Sequence, residues 1–187
     1  MAAGLTLLAL SWSAAACDSE SAEREYSLPG SLCGASVPED LYAPLFPPGA
    51  ALDTEQSFDD VTEFSGSRYC VLSVDGEEIL RADATGQDDY SGAIVRHDLD
   101  VEEQDGEAVP GDFEAVVWPG VAMAKAPCTL PGIGGSNTIE TLMVVLQAEH
   151  PGGDDESKQV LSELIQPFMA GTLDMVACQE HEAEGTE

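Results

Sequence analysis

The sequence predicts an α+β domain: a mainly antiparallel sheet with a short N-terminal helix and a longer C-terminal helix packed on it, cross-linked by disulfides. Three observations predict it. Apolar extended runs recur between turn-forming Gly, Pro and Asp residues, as strands joined by tight turns do. Toward the C-terminus, Val160, Leu161, Leu164, Ile165 and Phe168 recur at helical spacing. Four cysteines, Cys33, Cys70, Cys128 and Cys178, stand 37, 58 and 50 positions apart. That spacing suits two disulfides in an exported chain, not the close Cys pairs of a zinc site. Three pairings are open, and each closed loop would stabilise by about 4 kcal/mol.

Taken in order, Ser36 lies three residues before Glu39, a capping-box start to a short helix with Leu41, Leu45 and Phe46 on its apolar face. Pro44 keeps it brief, and Pro47-Pro48-Gly49 ends it. Residues 50–67 are polar and acidic and read as a loop. Tyr69 to Val74 is a strand, Asp75-Gly76 a tight hairpin turn, and Glu77 to Ala84 the return strand. A third strand is expected over Gly92–Leu99 and an acidic exposed loop over 100–112. Phe113 to Lys125 is the next extended stretch, broken at Pro119-Gly120 by a turn or bulge. Pro127 to Asn137 reads as a glycine-rich loop, and Thr138 to His150 as the strongest strand. Asp154-Asp155-Glu156 opens the long helix, since acidic side chains suit a helix N-terminus. Pro167 is expected to kink that helix, and Gly171 either ends it or is followed by a further turn.

The opening stretch carries the clearest functional signal. Sixteen uncharged, mostly apolar residues precede Cys17, with Ala14-Ala15-Ala16 directly before it and an acidic run after it. A membrane-spanning helix needs roughly 20 apolar residues. A secretory leader needs a shorter apolar core and small residues at the cut. No Lys or Arg precedes Arg24, and Ala14 stands where such leaders usually carry a branched aliphatic residue. The organisation expected is a lipoprotein signal peptide over 1–16, a lipid anchor and flexible tether over 17–31, one α+β domain over 32–178, and an acidic disordered tail over 179–187. Two acyl chains on Cys17 would anchor stably where one would not, because each buried methylene contributes about 0.8 kcal/mol.

The formal charge is −30, with only two lysines, Lys125 and Lys158. Phosphate contacts need Lys and Arg, so nucleic acid is excluded as a partner. The same charge opposes electrostatic attachment to anionic lipid, a problem that a covalent anchor removes. A cationic partner is one reading of the acidity; solubility through solvated faces is the plainer one.

Candidate chemistry is sparse. His97 sits between Arg96 and Asp98 on the expected Gly92–Leu99 strand, as a surface residue of a half-exposed strand with ligand contact as the alternative, and no Gly-x-Ser-x-Gly elbow supplies a nucleophile. Asp98, Asp100, Glu102 and Asp105 make a weak calcium candidate, since hard cations want several oxygens, but the EF-hand order is missing. Pro131 to Asn137 lacks the Lys-Ser/Thr ending of a phosphate loop. Trp118 is the one tryptophan after the leader; its expected place is buried against a disulfide, with ligand contact as the alternative. No catalytic residue and no cofactor is assigned.

Ala14-Ala15-Ala16-Cys17, Leu32-Cys33-Gly34, Leu45-Phe46-Pro47-Pro48-Gly49 and Tyr69-Cys70-Val71, with a Val-rich strand and a helix ending near Cys178, resemble uncharacterised exported lipoproteins of actinomycetes of the Streptomyces type. The resemblance implies a location on the outer face of the cell membrane and a disulfide-containing α+β domain, and no activity. The function expected is a binding or interaction domain at the envelope, held to the membrane through Cys17 and engaging a protein or small ligand. An envelope hydrolase and a structural surface protein are the alternatives.

Overall fold

A computed structural model describes residues 23–58, 67–131, 138–176 and 178. Cys17, the leader, the first part of the tether, to residue 22, and the tail from 179 lie outside the described residues. Seven antiparallel strands form one sheet: β1 Leu52–Gln56, β2 Ser67–Val74, β3 Glu77–Gly86, β4 Glu107–Val109, β5 Glu114–Trp118, β6 Val121–Pro131 and β7 Thr138–Ala148. Their spatial order is β1-β2-β3-β7-β6-β5-β4. Among the described residues three α-helices complete the fold: α1 Glu39–Tyr42, α2 Tyr90–Arg96 and α3 Asp154–Met175. The α+β class, with a short helix first and a long one last, is therefore present as the sequence predicts.

Strand periodicity divides the core in two. On β7, Leu142, Val144 and Leu146 face one cluster, while Met143 and Val145 face the other. The first face is covered by α3 and the N-terminal segment. Leu161, Leu164, Ile165, Phe168 and Met169 are buried there against the alanines and leucines of β3, β6 and β7. The second face holds a smaller cluster, in which Tyr90 and Ala93 of α2 lie against Trp118, Val121, Met123, Met143 and Val145.

Both disulfides belong to the first face. Cys33 is bonded to Cys70, fixing the N-terminal segment to β2, and Cys128 to Cys178, fixing the chain beyond α3 to β6. All four cysteines are buried. The hairpin at Asp75-Gly76 forms as its sequence requires, with φ of 52° and 87° at the two turn residues. Pro119-Gly120 is likewise a turn, joining β5 to β6.

Several elements differ from expectation. Gly92–Leu99 is not a strand but contains most of α2. Asp89 caps it by accepting a hydrogen bond from the Gly92 amide, and β7 already occupies the place beside β3 that a third strand would need. Ser36 caps nothing: Pro38 stands at the N-cap of α1 without a side-chain bond, and α1 passes at once into a 3-10 turn, Ala43–Leu45. The polar stretch after residue 50 contains edge strand β1, which needs only one hydrogen-bonded neighbour and so tolerates Asp53, Thr54 and Glu55. The acidic stretch 100–112 contains a 3-10 turn, Glu103–Asp105, and edge strand β4. β6 runs on to Pro131, into the stretch read as a loop; 132–137 lie outside the described residues. Finally, α3 continues past Pro167 and Gly171. Gly171 serves close approach instead of termination, since a Cβ there would lie 3.1 Å from Ala35 Cβ and from the Ser36 amide nitrogen.

Candidate functional site

The ends of β2, β3 and β7 and the Pro47-Pro48 segment enclose a cleft of about 570 Å³. Its apolar lining is Pro47, Pro48, Val74 and Ile79; its polar lining is Asp75, Glu77, Glu78, Glu149 and His150, with no Lys or Arg. Local structure explains why it holds its shape. The tight turn puts Asp75 at the hairpin tip, where its carboxylate accepts hydrogen bonds from the Ala50 and Ala51 amides at 3.1 and 2.9 Å. The proline side is pinned from behind. Arg24 donates to the Phe46 carbonyl at 2.6 Å, and the Tyr26 hydroxyl donates to the Pro47 carbonyl. The Glu149 amide bonds the Ile79 carbonyl at 3.0 Å, tying the third wall to the second. Glu78 shares its carboxylate with Arg81 at 2.8 Å, an exposed pair of small energetic value. The lining thus carries net negative charge beside apolar side chains.

A second cluster lies where α2 ends. His97, the residue after α2, places Nδ1 3.7 Å from Asp83 Oδ2 on β3, and each side chain is 11% exposed. Burial pushes the Asp83 carboxyl up and the His97 imidazole down, and their mutual attraction opposes both shifts. Arg81 and Arg96 add to the downward pull on the imidazole. Asp83 Oδ2 and His97 Nε2 have no hydrogen-bond partner among the described residues, so no serine hydroxyl stands bonded to the imidazole as in a nucleophile–base pair.

The other sequence-derived candidates are distributed as follows. Trp118 is 2% exposed and donates from its indole to the Glu102 carbonyl at 2.9 Å. It is buried as expected, but on the second face, whereas both disulfides lie in the first-face core. Asp100, Glu102 and Asp105 border a shallow cleft of about 290 Å³ together with Trp118; Asp98 is not among its lining residues. Among the described residues, no three His, Cys, Asp or Glu side chains converge in a way that could hold a metal ion. His97 is not on a half-exposed strand; it closes a helix and is largely buried. Nor is any described helix long and apolar enough to cross a membrane.

The acid-walled cleft was not legible as a motif, because Pro47, Glu77 and Glu149 come from three distant stretches. The one usable signal was Asp75-Gly76, which places acidic neighbours at a hairpin end. Compared with known protein families, with curated proteins and with solved structures, the chain matches none.

Proposed function

We propose that this chain is a lipid-anchored extracytoplasmic binding domain, held to the outer face of the cell membrane through Cys17, whose cleft receives a cationic group of a protein or small ligand. The observation that carries the binding assignment is the cleft lining: the carboxylates of Asp75, Glu77, Glu78 and Glu149 beside prolines and aliphatic side chains, with Arg81 on Glu78 as the cation that offsets one of them. Such a lining favours a positive head with a short apolar stem, as on a lysine or arginine side chain. Two disulfides support an oxidising compartment. The hydrolase alternative would rest on Asp83 and His97, but the imidazole nitrogen turned away from Asp83 is buried and bonded to no hydroxyl.

The test is titration of the folded chain with a short lysine-rich peptide and its acetylated, uncharged counterpart, followed by amide NMR. The expected result is shifts at Glu77, Glu78 and Glu149 with the charged peptide alone, weakened by salt and lost in Glu77→Gln/Glu149→Gln. Equal response to both peptides, or shifts spread over the whole acidic surface, would overturn the assignment. The anchor is tested separately by mass spectrometry of the membrane fraction, where the mature chain should begin at a diacylglycerol-modified Cys17.

A further inference from the structure

We propose that α2 and the turn following it, residues 90–101, form a strap that opens from the second face as a unit while the sheet and α3 stay folded. The strap is short and lightly held. Tyr90 and Ala93 are its buried apolar residues, with Ile94, Leu99 and Val101 packed only in part. Val95 on its outer side is 81% exposed. Within it, two residues past the end of α2, Asp98 adopts a left-handed conformation, φ 51°.

The polar contents of this joint set it apart. The Tyr90 hydroxyl, Asp83 Oδ2 and His97 Nε2 are all buried there, without a hydrogen-bond partner among the described residues. Under α3 the corresponding groups are bonded. Thr172 donates to the Phe168 carbonyl at 2.8 Å, and Ser157 donates to the Asp154 carbonyl while accepting from the Gly120 amide. Gln166 bonds both the amide and the carbonyl of Phe113. A buried group without a partner regains its hydrogen bonds when it meets solvent. Each is therefore a bias toward opening, roughly ten- to a hundred-fold in the local equilibrium for the Tyr90 hydroxyl and less for Asp83 and His97, whose attraction across 3.7 Å offsets part of it. Three such groups at one small interface make the strap the first described element to detach, and detachment bares Trp118, Met123, Met143 and Val145.

The methionines supply an internal control. Met123 and Met143, under the strap, and Met169, under α3, are each 0% exposed. The experiment is oxidation of the full disulfide-bonded chain by dilute hydrogen peroxide, converting each thioether to its sulfoxide with release of water, followed by peptide mass spectrometry. Met123 and Met143 are expected to react at least about tenfold faster than Met169. Tyr90→Phe removes one unbonded hydroxyl while keeping the ring, and should slow Met123 and Met143 by about tenfold or more with Met169 unchanged. A ratio below tenfold, or a ratio that Tyr90→Phe leaves where it was, overturns the strap.

Discussion

The two faces of the sheet share strands, yet they are closed by unlike means. The first face lies under a 22-residue helix and is fastened by both disulfides, and the polar groups buried in α3 are bonded. The second lies under a seven-residue helix, carries no disulfide, and buries three polar atoms without a hydrogen-bond partner among the described residues. The same strands cannot account for the difference, since alternate residues of β6 and β7 serve both faces. What differs is the cover, and the cover determines where the fold holds and where it gives.

Truncations should separate the faces most sharply. Phe168→Ala, at a side chain fully buried under α3, should cost about 3–5 kcal/mol in urea unfolding. Ile94→Ala, at a partly buried position of α2, should cost about 1 kcal/mol and leave the global transition nearly in place. Equal losses at the two sites would erase the comparison.

Acid should sharpen it further, with opposite contributions from the buried pair. His97 is held below its ordinary 6.5, so its contribution to stability is present above that value and lost as pH falls through the depressed one. Asp83 is raised above its ordinary 3.8, so its buried charge destabilises at neutral pH and is relieved as pH falls through the raised value. His97→Gln removes the first contribution and the positive neighbour that restrains the second. Relative to wild type, the variant should gain stability on going from pH 7 to pH 5, followed by urea midpoints. A parallel pH dependence in the two proteins would contradict the pair's assigned role.

The first face was largely readable in the sequence, because its signals are local and periodic. Asp75-Gly76 specified the hairpin, the aliphatic centre of Leu142 to Leu146 specified β7, and helical spacing from Val160 to Phe168 specified α3. Edge strand β1 was not readable, since its polar side chains look like a loop until β2 supplies the partner. α2 does not read as a helix because the β-branched Ile94 and Val95 favour extended backbone when read alone and Gly92 weakens a helix. The overriding signal was Asp89, three residues before Gly92, with Tyr90, Ala93 and His97 on one helical face. The acid-walled cleft is a product of topology. The strand order seats the end of β7 beside the β2–β3 hairpin, and no stretch of sequence announces that neighbour. Likewise the even cysteine count indicated two bridges, while the pairing Cys33–Cys70 and Cys128–Cys178 had to come from three dimensions.

Native-state amide hydrogen exchange on the full chain asks most directly whether one sheet carries two unequal covers. The amides of Ala93, His97 and Leu99, which bond within α2 and its closing turn, should exchange through a local opening that dilute urea barely affects. Those of Leu164, Ile165 and Phe168 should exchange only through global unfolding, steeply dependent on urea. Exchange of both sets with one free energy and one urea dependence would show a single cooperative unit and contradict the account.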